Sequence, residues 1–216
     1  MTVGERFKRS IEYFKKVFPV ALTELVYEDP FELLVAVILS AQCTDKRVNL
    51  ITPALLEKYP TAEAMSKAEP EEIFEYIKSC TYPNNKARHL SGMSRMLISE
   101  FKGKVPSETL VLQRLPGVGR KSANVIASVV FHKPVMAVDT HVFRVSHRIG
   151  LVKNAKTPLS VELQLTRHIP SELIHEAHHW LILHGRYVCK ARNPLCGKCG
   201  LTEICIYYRK NRIKVK

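Results

Sequence analysis

The sequence predicts an all-α protein, and three observations support this. In residues 140–149, Val142, Val145 and Ile149 recur at helical spacing and leave Arg144 and Arg148 to face elsewhere. Capping residues and prolines mark several helix starts. The strict apolar/polar alternation of half-buried strands is scarce, and no fixed-period repeat is present. We predict nine helices: 5–18, 31–42, 45–58, 70–79, 84–101, 121–131, 140–148, 158–169 and 171–188.

Charge is distributed unevenly along the chain. The 216 residues suffice for one ordinary core or two small ones, and a hydrophobic content of 46% is that of a globular protein. Residues 109–216 contain 18 Lys and Arg against 5 Asp and Glu, whereas residues 1–108 contain 15 of each. The net charge of +13 therefore comes from the second half. This favours a polyanionic partner for that half, with a solubilising surface as the alternative.

The N-terminus and the apolar stretches bear on localisation. The first residues lack the basic segment, apolar stretch and small-residue cleavage site of a secretory signal. The longest strongly apolar stretch, Leu33 to Leu39, is far shorter than the roughly 20 residues that span a bilayer, and indicates a buried helix. We therefore expect a cytoplasmic protein in a reducing compartment, with no membrane partner.

A glycine-containing segment, Leu-Pro-Gly-Val-Gly-Arg-Lys, is a candidate binding motif. Gly117 and Gly119 flank the apolar Val118 and permit a tight turn whose backbone amides stay uncovered. A helix follows at once, so the positive end of its dipole adds to those amides. The basic pair Arg120 and Lys121 comes next. The segment is expected to hold a phosphate, with an ordinary structural turn as the alternative.

Lys121 and Asp139 are candidates for the chemistry. Lys121 is either a phosphate-binding cation or an amine nucleophile, and a nucleophile must act as the neutral amine. Asp139 is the only acidic residue between Glu108 and Glu162, and its simplest role is to cap the helix that follows it. A helix of about 15 Å and eight residues reaching up to about 26 Å connect the two positions. The chain length therefore permits them to meet.

Four of the six cysteines are spaced as C-x6-C-x2-C-x5-C. Disulfides are not expected in a reducing compartment, so four thiolates around one metal centre are the natural interpretation. Structural zinc usually shows two tight pairs and only one is present, although the spacing alone leaves zinc open. The expected ligands are Cys189, Cys196, Cys199 and Cys205, and the other two, Cys43 and Cys80, are expected to be small core residues.

Two motifs resemble a known family. Leu-Pro-Gly-Val-Gly-Arg-Lys-Ser-Ala, followed by Ala-Val-Asp-Thr-His-Val, resembles the signature of the endonuclease III branch of the helix-hairpin-helix DNA glycosylases. The cysteine spacing resembles the [4Fe-4S] loop of the same family. The resemblance extends from Phe31 to Cys205 and implies two helical lobes with DNA bound in the cleft between them.

The resemblance also implies how the lobes divide the chain. One is a six-helix barrel-like domain that contains the hairpin, which we assign to residues 22–134. The other is the iron–sulfur cluster domain, which we assign to residues 1–21 together with 135–216.

The family implies roles for the site residues. Lys121 attacks the anomeric carbon of a damaged nucleotide and expels the base, while Asp139 assists deprotonation and stabilises positive charge on the sugar. The resulting Schiff base permits β-elimination of the 3′ phosphate. The hairpin from Gly117 to Arg120 grips the DNA backbone without reading sequence. The cluster would hold a basic loop against phosphates through Lys190 and Arg192.

Three further residues are expected to face the lesion. Gln42, in the segment Leu-Ser-Ala-Gln-Cys-Thr-Asp, would enter the space left by the extruded base. Tyr82 would act as a wedge at a position where an apolar leucine is common in the family. His141 would also face the gap. The structural alternatives are an amide at a helix end for Gln42 and a packed histidine in a helix turn for His141.

The expected function is that of a bifunctional DNA glycosylase/AP lyase of base excision repair. It would act as a monomer on duplex DNA that contains damaged pyrimidines or abasic sites. Related adenine glycosylases have a catalytic glutamate where this chain has Ile38, and they lack the lysine found here as Lys121. These departures favour the oxidised-pyrimidine branch. A monofunctional glycosylase of the same superfamily and a non-catalytic helix-hairpin-helix DNA-binding protein are the alternatives.

Overall fold

The computed structural model describes residues 1–212, which form helices and contain no strand. The all-α prediction is confirmed. The chain divides into two compact units. We call Thr23–His132 the continuous unit and Met1–Leu22 with Lys133–Lys216 the split unit. The sequence predicted a division with one boundary between residues 21 and 22 and the other between residues 134 and 135. Residues 213–216 of the predicted cluster domain lie outside the described residues.

The continuous unit is built around α2. Asp29 caps this helix by accepting the Glu32 amide at 2.9 Å, and every residue from Leu33 to Leu39 is buried, as the apolar stretch predicts. The long helix α6 packs against α2, α4 and α5. The helices of this unit are α2 (Pro30–Ser40), α3 (Asp45–Lys58), α4 (Ala62–Ser66), α5 (Pro70–Ile77), α6 (Pro83–Phe101), α7 (Thr109–Leu112) and α8 (Arg120–Phe131).

The split unit joins the first helix of the chain to helices formed much later. Phe14 stacks on Trp180, with ring centroids 6.1 Å apart, and the Trp180 indole donates to the Phe18 carbonyl at 3.0 Å. The α-helices are α1 (Val3–Val17), α9 (Thr140–Ile149), α10 (Pro158–His168), α11 (Ile174–Tyr187) and α12 (Ile206–Arg212), with short 3₁₀ turns at Ser171–Leu173 and Cys196–Lys198.

The structure corrects two predicted helix ends. α2 stops at Ser40, because Gln42 takes a left-handed conformation with a φ of 55° that a helix cannot accommodate. The helix expected to begin at Ser171 starts with a 3₁₀ turn, and its α-helical part begins at Ile174. Within residues 1–212, no helix has both the length and the apolar character required to cross a membrane.

Candidate active site and cofactor site

The glycine segment forms the turn between α7 and α8. Gly117 has a φ of +81°, a left-handed conformation that glycine adopts without a steric penalty. The Val118 amide donates to the Leu115 carbonyl at 3.0 Å, and the Val118 side chain is buried, so both groups are already used inside the turn. Gly119 is the N-cap of α8 and no side chain caps that helix. The first turn of α8 therefore has the properties of an anion-binding helix end.

Helix α6 supports this hairpin. A Cβ atom on Gly117 would lie 2.9 Å from the Cβ of His89, and one on Gly92 would lie 3.4 Å from the Cγ of Pro116. A Cβ on Gly119 would meet nothing within 4 Å. Packing as well as backbone conformation therefore requires glycine at 117, whereas the surroundings of Gly119 are open.

The two residues expected to carry the chemistry belong to different units. Lys121 is exposed in the first turn of α8, in the continuous unit. Asp139 is half-buried in the split unit, where it is the N-cap of α9. Its Oδ1 atom accepts the Val142 amide at 2.8 Å. The capping role considered for Asp139 is therefore present, and a cap of this kind needs a side-chain oxygen but not a negative charge.

His141 is packed within the split unit. Its Nδ1 atom lies 3.1 Å from Nη2 of Arg144. A Cβ on Gly185 would come within 2.8 Å of the His141 Cβ, so α9 and α11 approach each other closely here. These contacts give His141 the structural role considered as its alternative, and its DNA-facing role stays a prediction.

Gln42 and Tyr82 lie in loops that the structure brings together inside the continuous unit. Both side chains are exposed, and both residues have a φ of 55°, which is uncommon for residues other than glycine. The Lys86 ammonium, four residues after Tyr82, is buried and donates to the Leu39 carbonyl at 2.7 Å. This bond ties the start of α6 to the end of α2 beside the Gln42 loop.

The four cysteines near the C-terminus line one cavity, which is partly open to solvent. Most of its other lining residues are apolar, such as Ile149 and Leu201. Among the described residues, no three His, Cys, Asp or Glu side chains converge as they would on a single metal ion. Four cysteine thiols around one largely apolar cavity are a donor set that fits an iron–sulfur cluster.

Two N–H groups and one imidazole nitrogen approach the cysteine sulfurs. Arg148 Nη1 lies 3.6 Å from Cys189 Sγ, the Tyr208 amide lies 3.5 Å from Cys205 Sγ, and His184 Nε2 lies 3.6 Å from Cys199 Sγ. The Arg148 and Tyr208 donors stabilise thiolate charge around a cluster.

Burial affects the protonation of this site. It lowers the pKa of His184 to about 4, so that this imidazole is neutral at physiological pH. It also raises the pKa of the Cys199 thiol to about 11 and raises that of Cys205. Since metal ligation requires thiolates, binding of the cluster is coupled to proton release.

Two arginines on α9 hold the cysteine loop in place. Arg144 donates to the carbonyls of Gly185 and Cys189 at 2.9 and 3.0 Å. Arg148 donates to the Lys190 and Ala191 carbonyls at 2.7 and 3.0 Å. The sequence predicts that these arginines lie outside the apolar face of α9. It does not identify their partners, which are more than 40 residues away in the chain.

The excess positive charge belongs to one unit. The split unit contains 20 Lys and Arg against 7 Asp and Glu, whereas the continuous unit contains 13 of each. The side chains of Lys190, Arg192 and Lys198 in the cysteine loop are exposed. The loop therefore presents cations at the surface of the positively charged unit.

Comparisons with known proteins identify the family. Residues 35–171 match the HhH-GPD superfamily of base excision DNA repair proteins, and residues 189–205 match the iron–sulfur binding domain of endonuclease III. The chain is 50% identical to the endonuclease III of Rickettsia conorii over 197 residues, which are 91% of this chain and 93% of that protein. It is 47% identical to the endonuclease III of Bacillus subtilis, over 88% of this chain and 86% of that protein. The chain belongs to the endonuclease III family.

Solved structures agree with this assignment to the endonuclease III family. A trapped endonuclease III–DNA covalent intermediate, in an estranged-adenine complex, matches with a TM-score of 0.93 at 43% identity, over 98% of this chain and 100% of that one. The protein is a base excision repair DNA glycosylase and AP lyase. Its cofactor is a [4Fe-4S] cluster, as predicted, and the matched range begins at Cys189 and ends at Cys205.

Proposed function

We propose that this enzyme releases oxidised or otherwise damaged pyrimidines from duplex DNA and cleaves the abasic site through a Schiff base on Lys121. The position of Lys121 carries the proposal. It is an exposed lysine in the first turn of α8, directly after the hairpin, in a chain 43% identical to an endonuclease III that has been trapped as a covalent intermediate with DNA.

In the proposed reaction, the neutral Nζ of Lys121 attacks C1′ of the damaged nucleotide. The bond from C1′ to the base breaks, and the base leaves with the bonding electrons. Asp139 accepts a proton from the attacking amine and stabilises the positive charge that develops on the sugar. The sugar ring then opens to a Schiff base between C1′ and Nζ. Loss of a C2′ proton breaks the bond from C3′ to its oxygen, and the 3′ phosphate departs.

We propose that the hairpin, Gly117 to Arg120, holds a DNA phosphate at the start of α8. The uncapped start of α8 supports this proposal, because such helix ends attract anions. Lys190 and Arg192 would add phosphate contacts from the split unit. Phosphate contacts position a protein on DNA without reading its sequence, as a repair enzyme that scans for lesions requires.

Gln42 and Tyr82 are the proposed lesion-opening residues. Extruding a nucleotide costs a few kcal/mol, and less when the base is damaged. An amide can form hydrogen bonds in the space left by the base, and an aromatic ring can stack there. Tyr82 is 60% exposed and so is available for this role. His141 is proposed as a further residue at the gap.

Cys189, Cys196, Cys199 and Cys205 are the proposed ligands of the cluster. The cluster, when bound, would cross-link the loop that carries Lys190 and Arg192. This role is structural and requires no reaction of the DNA at the cluster. We further propose that the enzyme acts as a monomer on chromosomal DNA in the cytoplasm. The match along nearly the whole chain to an endonuclease III solved with DNA supports the action on DNA.

The test is borohydride trapping on duplex DNA that contains one thymine glycol. We expect the wild type to form a covalent protein–DNA adduct and Lys121→Gln to form none, because reduction fixes only a Schiff base. Lys102→Gln, which removes an exposed lysine from the same unit, is the matched control and should trap normally.

Three outcomes would overturn parts of this proposal. If the wild type released the base but formed no covalent adduct, the Schiff-base mechanism would be excluded. Full trapping by Lys121→Gln would assign the nucleophile elsewhere. If the wild type were trapped on an abasic site but not on thymine glycol, the lyase activity would be supported and thymine glycol would be excluded as a substrate.

A further inference from the structure

Cys43 and Cys80 form a thiol pair inside the continuous unit. Their Sγ atoms lie 3.6 Å apart although 37 positions separate the two residues in the chain. Both cysteines are reduced. The sequence predicted two small core residues, and only Cys80 is buried, whereas Cys43 is half-buried. A half-buried cysteine therefore contacts a buried one.

Each cysteine lies in the turn that follows a helix. The Cys43 amide donates to the Ser40 carbonyl at 3.1 Å, after α2, and the Cys80 amide donates to the Ile77 carbonyl at 2.8 Å, after α5. A disulfide needs its sulfurs about 2.05 Å apart, so the two must approach by about 1.5 Å. Side-chain rotation and small loop movements can supply this distance without disrupting a helix.

The environment of the pair sets which thiol reacts first. Burial, followed by the neighbouring Cys43, raises the pKa of the Cys80 thiol to about 11, although the cations of Lys86 and Arg47 act in the opposite direction. Cys80 is therefore protonated at neutral pH and shielded from solvent. An oxidant in solution meets Cys43 first.

We propose that Cys43 and Cys80 are a peroxide-sensitive modification site that forms a reversible disulfide. The Cys43 thiol releases its proton and its sulfur attacks one oxygen of hydrogen peroxide, the O–O bond breaks, and Cys43 becomes a sulfenic acid while hydroxide leaves and takes up the released proton as water. Cys80 then attacks the Cys43 sulfur. The S–O bond breaks, and the departing hydroxide leaves as water with the Cys80 proton. Two thiols are oxidised by two electrons, and one peroxide is reduced to two waters.

The cross-link would act on lesion recognition. Cys43 directly follows Gln42, and Cys80 lies two residues before Tyr82. A disulfide would fix the separation of the two loops that carry these residues, which must adapt to the opened duplex. This consequence rests on the proposed function of Gln42 and Tyr82. We expect base release from a lesion duplex to fall about tenfold, because displacements near 1 Å at positioning groups have effects of that order or larger.

The experiment treats the cluster-loaded full-length enzyme with a small excess of hydrogen peroxide while the visible absorbance of the cluster is followed. Peptide mass mapping without reduction should show residues 43 and 80 joined, with the loss of two hydrogen atoms, and dithiothreitol should restore both thiols. Cys80→Ala should stop at a Cys43 sulfenic acid that dimedone labels. Cys43→Ala should form neither product.

Base release and disulfide content are then measured on the same samples. A joined peptide together with slower base release, both reversed by dithiothreitol and absent from Cys43→Ala, supports the proposal. A wild-type sulfenic acid that persists, or cluster loss before any joined peptide appears, overturns the modification site. A joined peptide with unchanged base release overturns the proposed effect of the disulfide on lesion recognition. Mass mapping needs no activity, so a failure of the Lys121 chemistry is distinguishable from these outcomes.

Discussion

Asp139 illustrates how one side chain can serve the fold and the chemistry at once. Its Oδ1 atom caps α9 by accepting the Val142 amide. The proposed reaction uses the same carboxylate as a charged group next to the reacting sugar. The two roles place different demands on the residue, since a cap requires an oxygen and charge stabilisation requires ionisation.

Two substitutions separate these roles. Asp139→Asn keeps a capping oxygen, so we expect a Tm close to that of the wild type together with base release reduced by about 100-fold or more. Asp139→Ala should lose the same activity and also about 1 kcal/mol of stability. Thermal unfolding and single-turnover base release measure the two effects. Normal base release by Asp139→Asn would limit Asp139 to capping.

Single-residue predictions from sequence succeed where a local motif determines the surroundings. The N-cap position of Asp139 follows from the apolar run before it and the helix after it. The left-handed backbone of Gln42 does not, because the residues before it continue a helical pattern up to that point. Contacts between distant residues are also missed, as in the pairing of Cys43 with Cys80.

At the scale of elements, the hairpin before α8 depends on two glycines for different reasons. Gly117 has a positive φ and a neighbour, His89, that leaves no room for a Cβ. Gly119 has an ordinary backbone and open surroundings. One glycine therefore maintains the turn, and the other keeps the approach to the helix end clear.

This difference predicts opposite phenotypes for two alanine variants. Gly117→Ala should destabilise the protein by about 1–3 kcal/mol through backbone strain, with the His89 contact adding to it. Gly119→Ala should cost less than about 1 kcal/mol but weaken binding to duplex DNA, because a methyl group would then lie beside the proposed phosphate site. Thermal unfolding and fluorescence anisotropy distinguish them. Equal loss of stability in both variants would contradict this division.

Long helices were predictable, whereas short ones were not. The predicted α3 matches the observed Asp45–Lys58 at both ends, since Thr44 supplies a cap and the apolar positions repeat over several turns. The four residues of α7 and the five of α4 complete too few turns for a period to repeat. The cysteine spacing predicted the metal-binding loop, but its anchoring by Arg144 and Arg148 depends on tertiary contacts.

At the scale of the whole molecule, positive charge is segregated. The entire net charge of +13 belongs to the split unit, while the continuous unit, which contains Lys121, is neutral. Dividing the sequence into halves gave the same net charges, because the +3 of residues 1–22 equals the +3 of residues 109–132. Attraction to DNA and the proposed covalent chemistry are thus supplied mainly by different units.

Salt dependence tests whether the cysteine loop is a phosphate contact. Each lost phosphate contact lowers the slope of log K against log salt concentration by about 0.9 on duplex DNA. The double variant Lys190→Gln/Arg192→Gln should therefore lower it by about 2. Lys15→Gln/Lys16→Gln removes the same charge from exposed positions of the same unit and is the control. Equal reductions in both would indicate a general charge effect.

The split unit also determines the order in which the molecule is completed during synthesis. Residues 23–132 form a continuous unit that can fold as soon as they leave the ribosome. Helix α1 is made first, yet its partners Trp180 and Ile204 are made more than 160 residues later. Helix α1 therefore lacks these packing partners during most of translation. Cys189, Cys196, Cys199 and Cys205 are made later than Lys121 and Asp139, so the proposed cluster ligands are complete only after the whole continuous unit has been synthesised.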